Sequence, residues 1–340
     1  MTAPLSAPLT LLDQLPEGFF ELEIDTILDV FPTPTLIHLQ GDKEPALFVS
    51  ILLHGNEYSG LKIMQAVLAR YAGRLARSLV LFIGNVEAAA ANCRTLPGQT
   101  DFNRCWPGCE LEPNAYTRMM QRIIERIKPQ DLYAAIDLHN NTGANPHYAC
   151  LTEVTPTNQH LAAMFNHIGL VFKRPKGVST MAFNGFCPAA TLECGKPGDA
   201  AGIQHGAEMI DALLHMDHFP DRPIAPHDLQ LVQSLATLNI PPDVSFDFNL
   251  SAQADLIFES GFERKNFTEI KPTEVFAFTR VSRPLTISNQ DGEDVTDEIM
   301  RVQNGRVYLN RTLMPAMITL DKSVIRQDCL CYLLTDYHEA

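Results

Sequence analysis

The 340-residue chain reads as an α/β protein: a mixed, mainly parallel sheet with helices on both faces, followed by a smaller C-terminal β-rich domain. Three observations carry that reading. Apolar runs of strand length alternate with helix-spaced segments from about residue 20 to residue 217. The runs are continuous rather than alternating, which suits strands buried on both faces. After His218 the texture changes to the Pro- and Asp-rich stretch DHFPDRPIAPHD and then to short β-like segments. Together these place a first domain at 1–220 and a second at 221–340.

The elements follow in order. Residues 1–19 form an irregular lead-in, and Phe20–Ile24 and Thr35–Gln40 read as strands split by the turn FPTPT. Ala46–Leu53 is a buried strand, and Leu61, Met64, Val67, Leu68 and Tyr71 then fall at helical spacing over about 59–72. Ser78–Val86 is a second buried strand. A long loop, Glu87–Pro113, contains the only Trp and a dense polar motif, and structureless segments of that length are usually functional or disordered. Asn114–Lys128 is a helix between Pro113 and Pro129. Leu132–His139 is a third buried strand, and His147–Thr152 a fourth. A helix capped by Thr157 runs to about Ile168, Gly177–Gly185 is loop-like, Ala189–Cys194 is a strand and Gly202–Met216 a helix. Beyond the boundary, Leu229–Leu238 reads as a helix. Leu256–Glu259, Glu274–Arg280, Thr286–Ile287, Arg306–Tyr308, Ala316–Leu320 and Cys329–Leu334 read as strands.

The strand Ala46–Leu53 ends abruptly in His54-Gly55-Asn56-Glu57, and Leu132–His139 also ends on a histidine. Ligands bind at the carboxyl ends of strands in open α/β sheets. His54, Glu57 and His139 can therefore converge on one sheet edge as the His₂Glu ligands of a single zinc ion with an open fourth position. One strand-end histidine alone is more often a satisfied core or rim residue. Two of them, one with Glu at +3 and the other inside DLHNNTG, favour the metal. Asp137 points to the same strand face as His139 and can accept a hydrogen bond from its imidazole, or else cap a turn.

Glu193 sits mid-strand in ATLECG. A carboxylate is costly there unless it is paired or serves a site, and a zinc hydrolase needs a carboxylate to take a proton from water and return it to the leaving amine. In the long loop, Arg104 with Asn103 suits a substrate carboxylate, and Arg94 suits the developing oxyanion at the scissile carbonyl. A single loop arginine is more often a solvated charge, and Asp101-Phe102-Asn103-Arg104 is more specific as a group.

Bulk properties narrow the class. A net charge of −14 argues against nucleic acid and anionic membrane surfaces as partners. No apolar run reaches the roughly 18–20 residues of a membrane span, and the N-terminal stretch shows no signal-peptide pattern. Eight cysteines without a CxxC pair read as reduced thiols of a cytoplasmic protein. Oligomeric state is open, a homo-oligomer included.

HGNE (54–57), DFNR (101–104), DLHNNTG (137–143) and TLECG (191–195), in that order, resemble the succinylglutamate desuccinylase/aspartoacylase family of the zinc carboxypeptidase clan. The stretch KNFTEIKPTEVFAF (265–278) is similar to the start of that family's C-terminal β domain. The resemblance implies one zinc per chain on His54, Glu57 and His139, Glu193 as general acid/base, Arg94 near the carbonyl oxygen, and Asn103 with Arg104 on the amino-acid carboxylate. It implies a carboxypeptidase-like domain capped over its cleft by the β domain. The family's further arginine and tyrosines that read the acyl group have no motif match here; Arg174, Tyr148 and Tyr58 stand as candidates from residue type alone. The expected activity is zinc-dependent cleavage of an N-acyl bond in a small carboxylate-bearing amino acid. Rival readings are a metallo-carboxypeptidase acting on short peptides and a non-catalytic zinc- or ligand-binding protein. A cysteine hydrolase using Cys194 or Cys93 has no nucleophile motif behind it.

Overall fold

The computed structural model describes residues 7–71, 73–127, 131–220, 222–225 and 227–338. Outside these lie the first six residues of the lead-in, Ala72 of the expected first helix, Lys128 and Pro129 at the expected end of the next, and Asp221 and Pro226 of the boundary stretch. The chain divides into two compact units. One runs up to Asn140 and from His147 to Gln230; the other comprises Asn141–Pro146 and everything from Leu231 onward.

The first unit is α/β. Its elements in order are β1 (Thr10–Leu12), α1 (Ile27–Val30), β2 (Thr35–Leu39), β3 (Ala46–Ile51), α2 (Ser59–Leu68), β4 (Leu79–Ile83), α3 (Val86–Ala90), α4 (Ala115–Ile127), β5 (Leu132–His139), β6 (Tyr148–Leu151), α5 (Pro156–Phe165), β7 (Ile168–Val171), α6 (Ser179–Phe183), β8 (Ala189–Glu193) and α7 (Ala200–His215). The strands lie in the order β1-β2-β4-β3-β5-β8-β6-β7. Only β2 with β4 and β6 with β8 pair antiparallel; the other five pairs are parallel.

Strand parity explains why both faces are covered. Phe48, Val80, Phe82, Ala135 and Ala189 point one way and pack with Met119, Met120, Ile123 and Ile127 of α4, Phe183 of α6 and the fully buried Trp106. Ile51 and Leu138 point the other way. There Gly60 of α2 lies so close that a Cβ would sit 2.9 Å from the Ile51 methyl, and Gly206 of α7 closes on Ile63 of α2 in the same manner. The central strands β3, β4 and β5 are buried along their whole length, so the apolar runs are their physical signature.

Several expectations are corrected. Phe20–Ile24 is a turn leading into a 3-10 segment, because Gly18 adopts φ +82° and Phe19 and Leu22 turn inward while Phe20 stays exposed. The strand expected to reach Leu53 stops at Ile51, where Leu52 takes a left-handed φ of 56°. Thr155 rather than Thr157 caps α5, which ends at Phe165 rather than near Ile168, and β7 starts at Ile168. Gly177–Gly185 holds the short α6.

In the second unit, Leu229–Leu238 is also corrected: it lies in a strand, β9 (Gln230–Asn239), with strictly alternating burial from Val232 to Leu238. β13 (Thr286–Asn289) and β17 (Cys331–Asp336) pair with β9, and β16 (Met314–Ala316) pairs with β17, all antiparallel. A five-stranded sheet has the order β10 (Phe246–Asp247), β11 (Leu256–Ile257), β12 (Ala277–Thr279), β15 (Arg306–Leu309), β14 (Met300–Gln303). Phe246, Phe258, Phe262 and Phe276 lie in its buried core. Two short helices, α8 (Thr296–Ile299) and α9 (Lys322–Gln327), complete it.

Candidate active site

The site lies at the carboxyl ends of β3, β5 and β8. After Ile51 the chain leaves the sheet through Leu52 and Leu53 and turns at His54, with the Glu57 N–H donating to the His54 carbonyl (3.2 Å). Gly55 lets this turn close against α3: a Cβ there would lie 2.2 Å from the Ala88 carbonyl carbon and from the Ala89 nitrogen. The Gly55 N–H donates to the Arg94 carbonyl (3.1 Å), which anchors the start of the long loop. α3 is itself set by Asn85, whose Oδ1 accepts from the Ala88 N–H (3.2 Å).

Imidazoles and carboxylates alternate around Glu57. Its Oε1 lies 2.8 Å from His54 Nδ1 and its Oε2 lies 2.7 Å from His139 Nδ1. The Asn140 backbone N–H also donates to Oε2 (3.2 Å). The outer nitrogens are held in turn: His54 Nε2 by Asp101 Oδ1 at 3.1 Å, His139 Nε2 by Asp137 Oδ2 at 2.8 Å. Ser50 Oγ donates to the other oxygen of Asp137 (2.7 Å). The two imidazole rings stand 4.9 Å apart at 71°. His54, Glu57 and His139 are each no more than 5% exposed.

The electrostatics follow from burial. Burial alone would raise the Glu57 carboxyl, but His54 and His139 hold it well below the usual range. Burial likewise opposes Asp101, which His54 and Arg94 hold well below its usual value. His139 would be lowered by burial, yet Asp137 and Glu57 raise it well above the usual imidazole value. The carboxylates thus favour positive charge on or between the imidazoles.

A divalent cation is one answer to that demand. One donor atom from each of His54, Glu57 and His139 lies within 4.8 Å of the others, and every second-rank nitrogen is already oriented by a carboxylate. Two imidazoles, one carboxylate and fixed outer partners are the donor set and support that zinc takes in catalytic sites. The residues fit such an ion.

Glu193 is the register partner of His139 across β5 and β8, so both side chains leave the same face. Burial pushes its carboxyl up to about 7, with the His139 imidazole opposing and Glu57 adding to the rise. Tyr148 is the register partner of Glu193 on its other side and is fully buried.

The long loop delivers the remaining candidates. Arg94 pairs with Asp101 (Nη2 to Oδ2, 3.1 Å) and approaches Glu57 (3.8 Å). The Asn103 side chain spans two groups: Nδ2 lies 3.2 Å from His139 Nε2, and Oδ1 accepts from the Ser179 N–H (2.9 Å). Arg104 Nη1 donates to the Asn103 carbonyl (2.8 Å). Of the three candidates for reading an acyl group, only Tyr148 stands beside Glu193. Arg174 pairs with exposed Glu110, and the Tyr58 hydroxyl lies against Gly198. Sequence reasoning passed over Asp101 as the partner of His54, and also Ser50 and Asn140. Their signal was present: all three sit within four residues of a candidate ligand or carboxylate-binding residue.

The catalytic-domain model of the succinylglutamate desuccinylases and aspartoacylases matches residues 43–214, just over half of the chain. The chain belongs to the succinylglutamate desuccinylase/aspartoacylase family. No protein of curated function matches it in sequence. Solved structures with the same fold include the succinylglutamate desuccinylase of Chromobacterium violaceum (16% identity, 86% of this chain and 85% of that one, TM-score 0.56). Another is the desuccinylase of Vibrio parahaemolyticus (13%, 89% and 86%, TM-score 0.59). Murine aminoacylase 3 is a third (15%, 87% and 97%, TM-score 0.52). At these identities the likeness carries the architecture: a large, mostly parallel sheet with a second, smaller sheet. Among the described residues no helix is long and apolar enough to cross a membrane.

Proposed function

We propose that this family member is a zinc-dependent amidohydrolase that removes the acyl group from a small, carboxylate-bearing N-acyl amino acid. The observation that carries the reading is the buried His54-Glu57-His139 group with Glu193 one strand away on the same face. The names of the structural neighbours, two succinylglutamate desuccinylases and an aminoacylase, point to the same substrate class.

His54, Glu57 and His139 would hold the ion. When bound, zinc supplies Lewis acidity, which acidifies water and polarises a carbonyl. The protein does the rest. Asp101 and Asp137 fix the two imidazoles by their outer nitrogens. Glu193, with a pKa near neutrality, takes a proton from water and returns it to the departing amine. Arg94 faces the carbonyl oxygen as charge develops, and its pairing with Asp101 keeps its fork from wandering. Arg104, steadied by the Asn103 carbonyl, grips the amino-acid carboxylate with Asn103 beside it.

The test is hydrolysis of a panel of N-acyl amino acids and short peptides by zinc-loaded protein. Turnover of N-acyl amino acids with little or none on peptides supports the proposal. Turnover of peptides alone makes it a carboxypeptidase, and zinc binding with no turnover on either makes it a binding protein.

A further inference from the structure

Asn140 directly follows His139 and is 5% exposed. Its side chain touches neither of the two histidines yet joins the segments on either side of the site. Oδ1 accepts from the backbone N–H of Ser59 at the start of α2 (3.1 Å). Nδ2 donates to the carbonyl of Gly195 (3.0 Å) and reaches that of Cys194 (3.5 Å). Ser59 completes the circuit, its Oγ accepting from the Gly198 N–H (2.9 Å). The amide orientation is dictated by its partners, because a backbone N–H only donates and a carbonyl only accepts.

The two tied segments carry the chemistry. Ser59 lies two residues after Glu57, and Gly195 two residues after Glu193. The β5–β8 ladder stops at the bond from the Cys194 N–H to the His139 carbonyl (3.0 Å). Beyond it the chain turns through Gly195 at φ +75° and Gly198 at φ +79°, a backbone that side-chain-bearing residues rarely adopt. Inside the turn the Asp199 N–H donates to the Lys196 carbonyl (3.0 Å), and from outside Asn140 and Ser59 tie it to the start of α2.

We propose that Asn140 is a positioning residue: with Ser59 it pins the turn after Glu193 to the start of α2, and so fixes where the Glu193 carboxylate stands relative to Glu57 and the two histidines. The proposal rests on the reading of Glu193 as the proton carrier. A proton carrier must stay within hydrogen-bond reach of the group it serves, and a shift of about 1 Å can cost about 100-fold in rate. The Asn140 side chain bonds to none of the metal-holding side chains; it holds backbone of the segments that follow Glu57 and Glu193. The one contact Asn140 makes with those side chains is the backbone N–H on Glu57, which no substitution at 140 short of proline removes.

The experiment compares wild type, Asn140→Ala and Ser59→Ala in three measurements: zinc affinity by chelator competition, kcat and KM on the N-acyl amino-acid panel, and crystal structures of the zinc-loaded proteins. Ser59→Ala keeps the backbone donor and loses only the tie to Gly198, so it stands in if Asn140→Ala fails to fold. The expected result has three parts. Zinc affinity and KM stay within about threefold, kcat falls by about 10- to 100-fold, and the Glu193 carboxylate moves by more than about 0.5 Å relative to His139. Unmoved Glu193 with wild-type kcat in the variants overturns the proposal, as does a loss of zinc affinity that accounts for the loss of rate. If wild type cleaves nothing in the panel, the deacylase reading fails, and the position of Glu193 in the crystals still decides this one.

Discussion

His139 and Glu193 occupy the same register position on adjacent parallel strands, a candidate metal-ligating imidazole and a carboxyl of raised pKa one strand spacing apart. Strand spacing of about 4.8 Å brings the second group within reach of whatever the first holds while keeping it outside the ligand set. Glu193→Gln keeps the shape and removes the proton acceptor. Turnover should fall by about 10²–10⁴-fold with zinc content unchanged, measured by panel hydrolysis and elemental analysis of the same preparation. Wild-type turnover in this variant would strip Glu193 of its role.

Metal removal should act on stability as well as on rate. Stripping with a chelator would leave His54, Glu57 and His139 without the cation that the proposed function assigns to them. A ligand bound at 1,000 times its Kd stabilises by about 4 kcal/mol. The stripped protein should be inactive and melt several degrees lower, and added zinc should restore both. A melting temperature indifferent to zinc would mean that the three side chains do not hold it. His54→Ala should abolish the zinc-dependent rise.

Gly55→Ala tests the packing beneath the ligands. The added methyl meets the backbone of Ala88 and Ala89 at 2.2 Å, where no flexible side chain can yield. Overpacking of this kind costs about 1–3 kcal/mol. The variant should melt lower and bind zinc more weakly, although no ligand is changed. Scanning calorimetry and chelator competition read the two effects, and a variant indistinguishable from wild type would show that the turn can open.

An acid limb of stability is expected from Asp321. Its Oδ1 caps α9 by accepting from the Ser323 and Val324 N–H groups and the Ser323 hydroxyl, and the Ser323 hydroxyl leads in holding the carboxyl below its ordinary value. A depressed folded-state pKa contributes stability that is present above the unfolded value of about 3.9 and is lost as pH falls through the folded value. Asp321→Ala should cost about 1 kcal/mol at pH 7 and progressively less below about pH 4. Urea titrations at the two pH values check this.

The convergence of His54, Glu57 and His139 was legible because His139 ends one strand that announces itself and the HGNE turn lies just beyond another: LYAAIDLH has no polar residue before Asp137, and ALFVSI only Ser50. The family resemblance rested on the same stretches, and the family match covers them. β9 was misread for a physical reason. Its buried positions Val232, Ser234, Ala236 and Leu238 include a serine and an alanine, and the partly buried Leu231 and Leu235 on the other parity complete an apparent helical spacing. β7, four residues long and flanked by an expected helix end at Ile168, is too short to stand out as a strand. The roles of Asp101 and Asn140 are not legible in their motifs, because their partners lie on strands and loops distant in sequence and only folding brings them together.

Loops usually tolerate exchange better than the elements they join. The one that carries Arg94, Asn103 and Arg104 is an exception by virtue of Asp101, which takes the His54 imidazole, the Arg94 guanidinium and the Asn103 N–H on one carboxylate. Grafted into another scaffold without the HGNE corner, it would arrive missing the partner that orders it. An engineer moving this loop must therefore transplant loop and corner together, or leave both in place and work elsewhere.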